Sequence, residues 1–151
     1  MIQRKQTLYL LLSAVLIAMM AFFNLAEFVA ASASYAFSYK GVYSLAPVAL
    51  VQETDILGVL VMASVITALV TVFFYKKRPM QMRLCVANIA FMVGMVAFAF
   101  YNINAVQKSL NALVVYHWVL VMPFIAIVLQ VLAFIAISKD EALVRSVNRI
   151  R

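Results

Sequence analysis

The sequence predicts an all-α integral membrane protein, a bundle of four transmembrane helices with both termini in the cytoplasm. Two observations carry this prediction. Of the 151 residues, 68% are hydrophobic and 11% are charged, whereas a soluble domain is about half apolar and a quarter charged. The apolar residues also fall into four long blocks, and about 20 such residues are needed to cross the hydrocarbon of a bilayer.

The four blocks lie within one domain and cover residues 7–29, 56–74, 84–101 and 118–138. Backbone groups find no water inside a bilayer, so only helices and closed barrels cross it. The blocks are too long for ordinary strands and show no sustained alternation of apolar and polar residues. We therefore expect four helices.

The first block also resembles a secretory signal peptide, because two basic residues precede it and small residues follow at 31–33. The apolar core of a signal peptide is about 7–15 residues long. The run from Leu8 to Phe23 has 16 residues, and the helical pattern continues to Val29. We expect this block to be retained as a membrane anchor.

The formal net charge is +7. The basic residues lie between and beside the apolar blocks, and this position favours anionic lipid headgroups rather than nucleic acid as the partner. By the positive-inside pattern, most basic residues mark the cytoplasmic side, with Lys40 and Lys108 outside. Pro79 should close a tight cytoplasmic hairpin between the second and third helices. The residues predicted on the inner face are Arg4, Lys5, Lys76, Lys77, Arg78, Arg83, Lys139, Arg145, Arg149 and Arg151.

Small residues recur at helical spacing in each block, and helices in lipid pack closely through such residues. The third block carries Ala87, Ala90, Gly94 and Ala97, and the fourth carries Ala126, Gln130 and Ala133. These stripes predict the packed faces, with Gly94 at the closest backbone approach.

Polar residues inside a membrane are costly and are therefore candidates for function. Asn88 and Gln130 fall at similar depths, about one helical turn apart, which allows a direct interhelical hydrogen bond between them. This pair either joins helices or forms a polar step in a substrate path. Glu27, one turn after Asn24, falls near the outer membrane boundary with His117. They form either a proton-sensitive pair or two solvated residues.

No motif predicts catalysis. The single histidine excludes a two-histidine metal site, and Cys85 has no second cysteine with which to form a pair. Glu53 and Asp55 precede the second block, where acids favour a helix N-terminus. We expect no enzyme activity, no metal and no cofactor.

The loops and the tail complete the prediction. Aromatic alternation around Lys40–Gly41 predicts an outer hairpin, and apolar residues at helical spacing over 103–113 predict an interfacial helix. The tail, 139–151, begins with a capping-box pattern from Ser138 to Glu141. It predicts a short amphipathic helix on anionic lipid or on a cytoplasmic partner.

The start MIQRKQTLYLLL and the end KDEALVRSVNRIR resemble an uncharacterised family of small four-span membrane proteins typical of the Bacteroidetes lineage. The resemblance implies an inner-membrane location in a diderm bacterium and supplies no activity. The positions that it singles out are Arg4, Gln6, Asp140, Glu141, Arg145, Ser146, Arg149 and Arg151.

The preferred function is a non-enzymatic inner-membrane scaffold or accessory subunit of a membrane complex. The alternative is an oligomeric transporter or binding protein for a small or lipid-like ligand, acting through Asn88, Gln130 and Glu27.

Overall fold

A computed structural model describes residues 3–30, 33–45 and 48–148. Its helices are α1 (Gln3–Met19), α2 (Asp55–Phe73), α3 (Arg78–Leu110) and α4 (Met122–Asn148). Its strands are β1 (Ala26–Val29), β2 (Ser34–Phe37), β3 (Gly41–Leu45), β4 (Val48–Glu53) and β5 (Leu113–Tyr116). The strands form one sheet in the order β4-β3-β2-β1-β5. The prediction of an all-α fold is therefore wrong.

Three helical segments of the described chain are long and apolar enough to cross a membrane, which indicates a membrane protein. They are Asp55–Phe73, Arg78–Leu110 and Trp118–Val144, with mean hydropathies of 2.6, 2.1 and 2.8. They correspond to the second, third and fourth predicted blocks. α1 has 17 residues, about 26 Å at 1.5 Å per residue. It is shorter than the roughly 30 Å of hydrocarbon, so the prediction of four spans is wrong.

The first predicted block changes structure in its second half. Helix α1 ends at Met19, and the N–H groups of Met20, Ala21 and Phe22 donate to carbonyls three residues earlier. Such bonds tighten the last turn of a helix. The segment that follows is extended, and in β1 Ala26 and Phe28 are buried. Its backbone bonds go to β2 and β5, and β5 lies almost 90 residues away in the sequence. A local helical pattern could not reveal this pairing.

The hairpin predicted from aromatic alternation is confirmed as β2–β3, in which Phe37 pairs with Val42. It is part of the larger sheet. Ser38 and Gly41 exchange backbone hydrogen bonds across Tyr39 and Lys40, so the turn lies one residue before the predicted Lys40–Gly41. Gly41 has φ 155°, a conformation essentially reserved for glycine.

Helices α3 and α4 continue where breaks were predicted. The region expected to form an interfacial helix extends α3 to Leu110, and Leu113 begins β5. Asn111 ends α3 in the left-handed conformation, with φ 46°. The tail does not form a separate helix beginning at Ser138, because α4 runs without interruption to Asn148.

Helix α1 packs against α2 and α4, and α3 packs against the same two helices. One end carries the sheet and is called the sheet end. The other end joins α2 to α3 through a 3₁₀ turn, Phe74–Lys76, where the Lys77 N–H donates to the Phe74 carbonyl. Pro79 lies in the first turn of α3. This tight connection confirms the predicted hairpin, and the end that contains it is called the basic end.

The predicted packing stripe is right for α4 and wrong for α3. Ala126, Gln130 and Ala133 are fully buried. In α3 the small-residue stripe is exposed, and a Cβ added to Gly94 would meet nothing within 4 Å. The buried face of this helix contains Cys85, Asn88, Met92, Met95 and Ala99.

Candidate functional site

A buried polar layer crosses the four helices between the basic end and the sheet end. Ser64 Oγ of α2 donates to Asn88 Oδ1 of α3 at 2.8 Å. Ser13 Oγ of α1 lies 2.9 Å from Gln130 Oε1 of α4 and 2.8 Å from the Leu10 carbonyl oxygen. All four side chains have no solvent exposure. Each of the two hydrogen bonds joins a different pair of helices.

The direct hydrogen bond between Asn88 and Gln130 that their depth allowed is absent, because each amide oxygen accepts from a serine. Cys85, one turn before Asn88, lies beside Gln130 and is also buried, so the two amides belong to one layer. Asn88 Nδ2 and Gln130 Nε2 have no hydrogen-bond partner among the described residues. The layer thus contains two buried donors without an acceptor.

At the sheet end the structure brings Glu27 and His117 together. Glu27 lies on β1, and His117 follows β5, its neighbour in the sheet. His117 Nε2 is 3.3 Å from Glu27 Oε1, and the two side chains are 33% and 39% exposed. The distance suits an ion pair when the imidazole is protonated, although the alignment is not that of a hydrogen bond. Asn24 is exposed in the connection before β1 and does not lie on a membrane helix as predicted.

At the basic end, Gln6 and Asp140 join the two terminal motifs. Gln6 Nε2 of α1 donates to Asp140 Oδ2 of α4, and both side chains are more than 90% buried. Arg78 Nη1, at the start of α3, donates to the Asp140 carbonyl oxygen at 3.0 Å. Three helices therefore meet at Asp140. Its side chain is largely buried, and its predicted contact with lipid or a partner stays a prediction.

The other predicted inner-face residues are distributed around this junction. Lys5, Lys77, Arg83 and Lys139 are exposed, whereas Arg78 and Glu141 are half-buried. Ser146 Oγ donates to the Leu143 carbonyl within α4. The side chains of Arg4, Lys76 and Arg145 lie outside the described set, as do residues Arg149 and Arg151 altogether.

Metal chemistry has no candidate centre in residues 3–30, 33–45 and 48–148: no group of three or more His, Cys, Asp or Glu side chains is close enough there to hold an ion. Sequence reasoning found Asn88 and Gln130 but missed the role of Ser13, which interrupts the apolar run of α1. It also gave Gln6 no structural partner. The one available signal was that both residues are polar and lie about two turns apart on a largely apolar helix.

The family model of a domain of unknown function (DUF4293) matches residues 2–150. The chain therefore belongs to this family. No curated protein matches the chain.

Proposed function

We propose that this member of the family is a non-enzymatic scaffold or accessory subunit of a membrane complex. The proposed location is the inner membrane of a diderm bacterium, with the basic end in the cytoplasm. Exposed lysines and arginines concentrate at that end, which is the charge bias expected of a cytoplasmic face. The termini, with their resemblance to a Bacteroidetes-type family, support the bacterial location.

The sheet is proposed to lie outside the hydrocarbon, on the periplasmic side. An open sheet edge is not tolerated against lipid, because its backbone groups would have no hydrogen-bond partner. Helix α3 has 33 residues, about 50 Å, and exceeds the roughly 30 Å of hydrocarbon. Ile103 and Val106, in its last part, share a core with Phe28 and Phe37 of the sheet. The part of α3 that extends beyond the hydrocarbon would therefore pack against the sheet outside the membrane.

One observation carries the scaffold proposal: the free edge of β5. This strand, LVVY, ends the sheet, and no other strand in the described chain pairs with its outer edge. Leu113 is 76% exposed, and Val115 and Tyr116 are about half exposed. Natural proteins usually protect such an edge with charges or proline. An uncharged, extended edge is suited to accept a strand from a partner protein.

The direction of the backbone groups gives a sharp test. The His117 N–H donates to the Leu25 carbonyl. Because successive residues of a strand alternate in direction, Tyr116 N–H points away from β1 to the free edge. Tyr116→Pro removes this donor, whereas Tyr116→Ala removes the side chain and keeps the donor.

The measurement is co-purification from native membranes in a mild detergent, with bound proteins quantified by mass spectrometry. We expect a companion in constant ratio to the wild-type protein, retained better by Tyr116→Ala than by Tyr116→Pro. Equal retention would reject the β5 edge as the docking surface. Absence of any companion in constant ratio would reject the scaffold function. A third variant, Arg145→Ala, tests docking through the tail.

A second candidate is binding of a small or lipid-like ligand between the helices. The two buried amide donors without an acceptor favour it, since a ligand oxygen would satisfy them. Asn88→Leu and Gln130→Met remove the donors at similar side-chain size. Ligand binding or transport would be lost in these variants, whereas a scaffold would retain its companion.

A further inference from the structure

We propose that the groove between α1 and α4 at the basic end binds one anionic phospholipid from the surrounding bilayer. This inference requires only that the protein lies in a membrane, and it is independent of the scaffold function. The groove has a volume of about 450 Å³, which is within the usual range of ligand sites. Its lining has two chemically different parts.

The polar part lies at the mouth. Lys5 of α1 and Lys139 of α4 line the groove, and both side chains are exposed. Ammonium groups from two helices can contact the oxygens of one phosphate. Asp140 also lines the groove, but its carboxylate accepts from Gln6 and is largely buried. The balance of charge among the groove's lining residues is therefore positive, which favours an anionic headgroup.

The apolar part runs from the mouth along the spanning helix α4. Leu132 lies seven residues before Lys139, which is about 10 Å deeper along the helix. Ile135 and Ala136 continue the apolar wall between them, and Tyr9 lies on the side of α1. Leu132 and Ile135 are about 40% exposed, so the groove opens to the lipid chains. A phosphate beside the lysines would direct an acyl chain down this wall.

The positive charge at the mouth of the groove and the depth of its apolar wall together favour a phospholipid rather than a soluble phosphate compound. The soluble compound would use the lysines and leave the apolar wall uncovered. A zwitterionic lipid would contact the apolar wall, but the electrostatic attraction of its headgroup to the lysines would be weaker. The groove as a whole fits a molecule with an anionic head and a hydrocarbon tail.

The test uses the full-length protein purified in an uncharged detergent. Native mass spectrometry measures retention of phosphatidylglycerol, phosphatidylcholine and glycerol 3-phosphate. We expect phosphatidylglycerol to bind most tightly. Lys5→Gln/Lys139→Gln should weaken its binding about 30-fold, from the usual contribution of two lysines near an anionic membrane surface.

The matched control is Lys77→Gln/Arg83→Gln, which removes two exposed cations from the same end but outside the groove. It should retain phosphatidylglycerol binding within about threefold, because salt screens exposed cations that do not contact the headgroup. A third variant, Ala136→Phe, fills the apolar wall and should reduce binding of both lipids, with helix content checked by circular dichroism.

Three outcomes would overturn the proposal. Equal loss in the two double variants would show general surface electrostatics. Equal retention of the two lipids by the wild-type protein would remove the headgroup preference. Tight binding of glycerol 3-phosphate alone would show a soluble phosphate site.

Discussion

In the buried polar layer, two hydrogen bonds join Asn88 and Gln130 to serines on other helices, whereas similar depth in the sequence favoured one bond between the two amides. Counting residues from the ends of the blocks placed Asn88 and Gln130 at similar depth, and both do lie in one layer. The count contained no information on which helices are neighbours. Instead, Ser64 on α2 donates to Asn88 Oδ1, and Ser13 on α1 donates to Gln130 Oε1. Burial of a polar residue was thus predictable, and its partner was not.

Double-mutant cycles test this pairing. Ser64→Ala with Asn88→Ala, and Ser13→Ala with Gln130→Ala, should each show a coupling of about 0.6 kcal/mol, up to about 1.7 kcal/mol, as for hydrogen bonds between membrane helices. The measurement is the free energy of unfolding in mixed micelles. The cycle of Asn88→Ala with Gln130→Ala should show a smaller coupling than the other two cycles, since no hydrogen bond joins these side chains. A larger coupling in this third cycle would contradict the arrangement.

Gly41 is required by the geometry of the sheet. Its φ is 155°, and a Cβ at this position would lie 2.2 Å from the Gln52 carbonyl oxygen. Gly41→Ala should therefore lower the free energy of unfolding by about 2 kcal/mol or more, through strain and displacement of β4. Gly94→Ala is the matched control, because open space surrounds that position. We expect it to be neutral or slightly stabilising, and a similar loss in both variants would contradict this interpretation.

At the scale of elements, the segments that contact distant parts of the chain were the ones predicted wrongly. β1 and β5 depend on each other for their backbone hydrogen bonds, and Leu113–Tyr116 was expected to be partly helical. The β2–β3 hairpin, by contrast, was predicted because its pairing is local and its aromatic residues alternate. α2 and most of α4 were also predictable, since long apolar runs are sufficient evidence for a helix in lipid.

The orientation of α3 shows that residue size alone is a poor guide to the packed face. The Ala87, Ala90, Gly94 and Ala97 stripe follows helical spacing but faces outward. The inward face contains the polar Asn88 and continues past Ala99 to Val106. Burying the asparagine against Ser64 removes a polar group from contact with lipid, and exposing alanine to lipid costs little.

Two alanines in α3 give a matched test of this orientation. Ala97 is exposed, and Ala99, two residues later, has no exposure. Ala97→Leu should change the free energy of unfolding by less than about 0.5 kcal/mol, as a surface substitution. Ala99→Leu should cost about 1–3 kcal/mol by overpacking the core shared with the sheet. Thermal unfolding in detergent would measure both, and the reverse order would place the small-residue stripe inward.

At the scale of the whole molecule, the sequence predicted that the protein lies in a membrane, but it did not predict the fold correctly. Composition and block length indicated a membrane protein, and three helices long enough to span agree with that. The asymmetric distribution of lysine and arginine corresponds to two structurally different ends. Apart from its β2–β3 hairpin, the sheet was not foreseen, because the 26 residues between the first two predicted blocks resemble an ordinary loop. The fifth strand, β5, lies in a different connection, the one between α3 and α4.

The orientation of these two ends can be tested with the single natural cysteine as an internal blank. Cys85 has no exposure, so wild-type protein should not react with a membrane-impermeant maleimide. Leu113→Cys places a thiol on the exposed outer edge of the sheet, and Lys77→Cys places one in the connection at the basic end. We expect the first to be labelled in intact cells. The second should be labelled only after the inner membrane is permeabilised, because the positive-inside pattern predicts that the basic end lies in the cytoplasm.

Labelling of Lys77→Cys in intact cells, with Leu113→Cys protected, would reverse the proposed orientation. It would also place the free β5 edge in the cytoplasm and direct the search for a strand-donating partner to that compartment. If both thiols were protected from the maleimide until detergent is added, the result would indicate that the sheet is buried in the bilayer. That result would contradict the argument from unsatisfied backbone groups, unless another protein strand already covers the edge. The same two variants therefore decide both the orientation and the compartment in which a partner could reach β5.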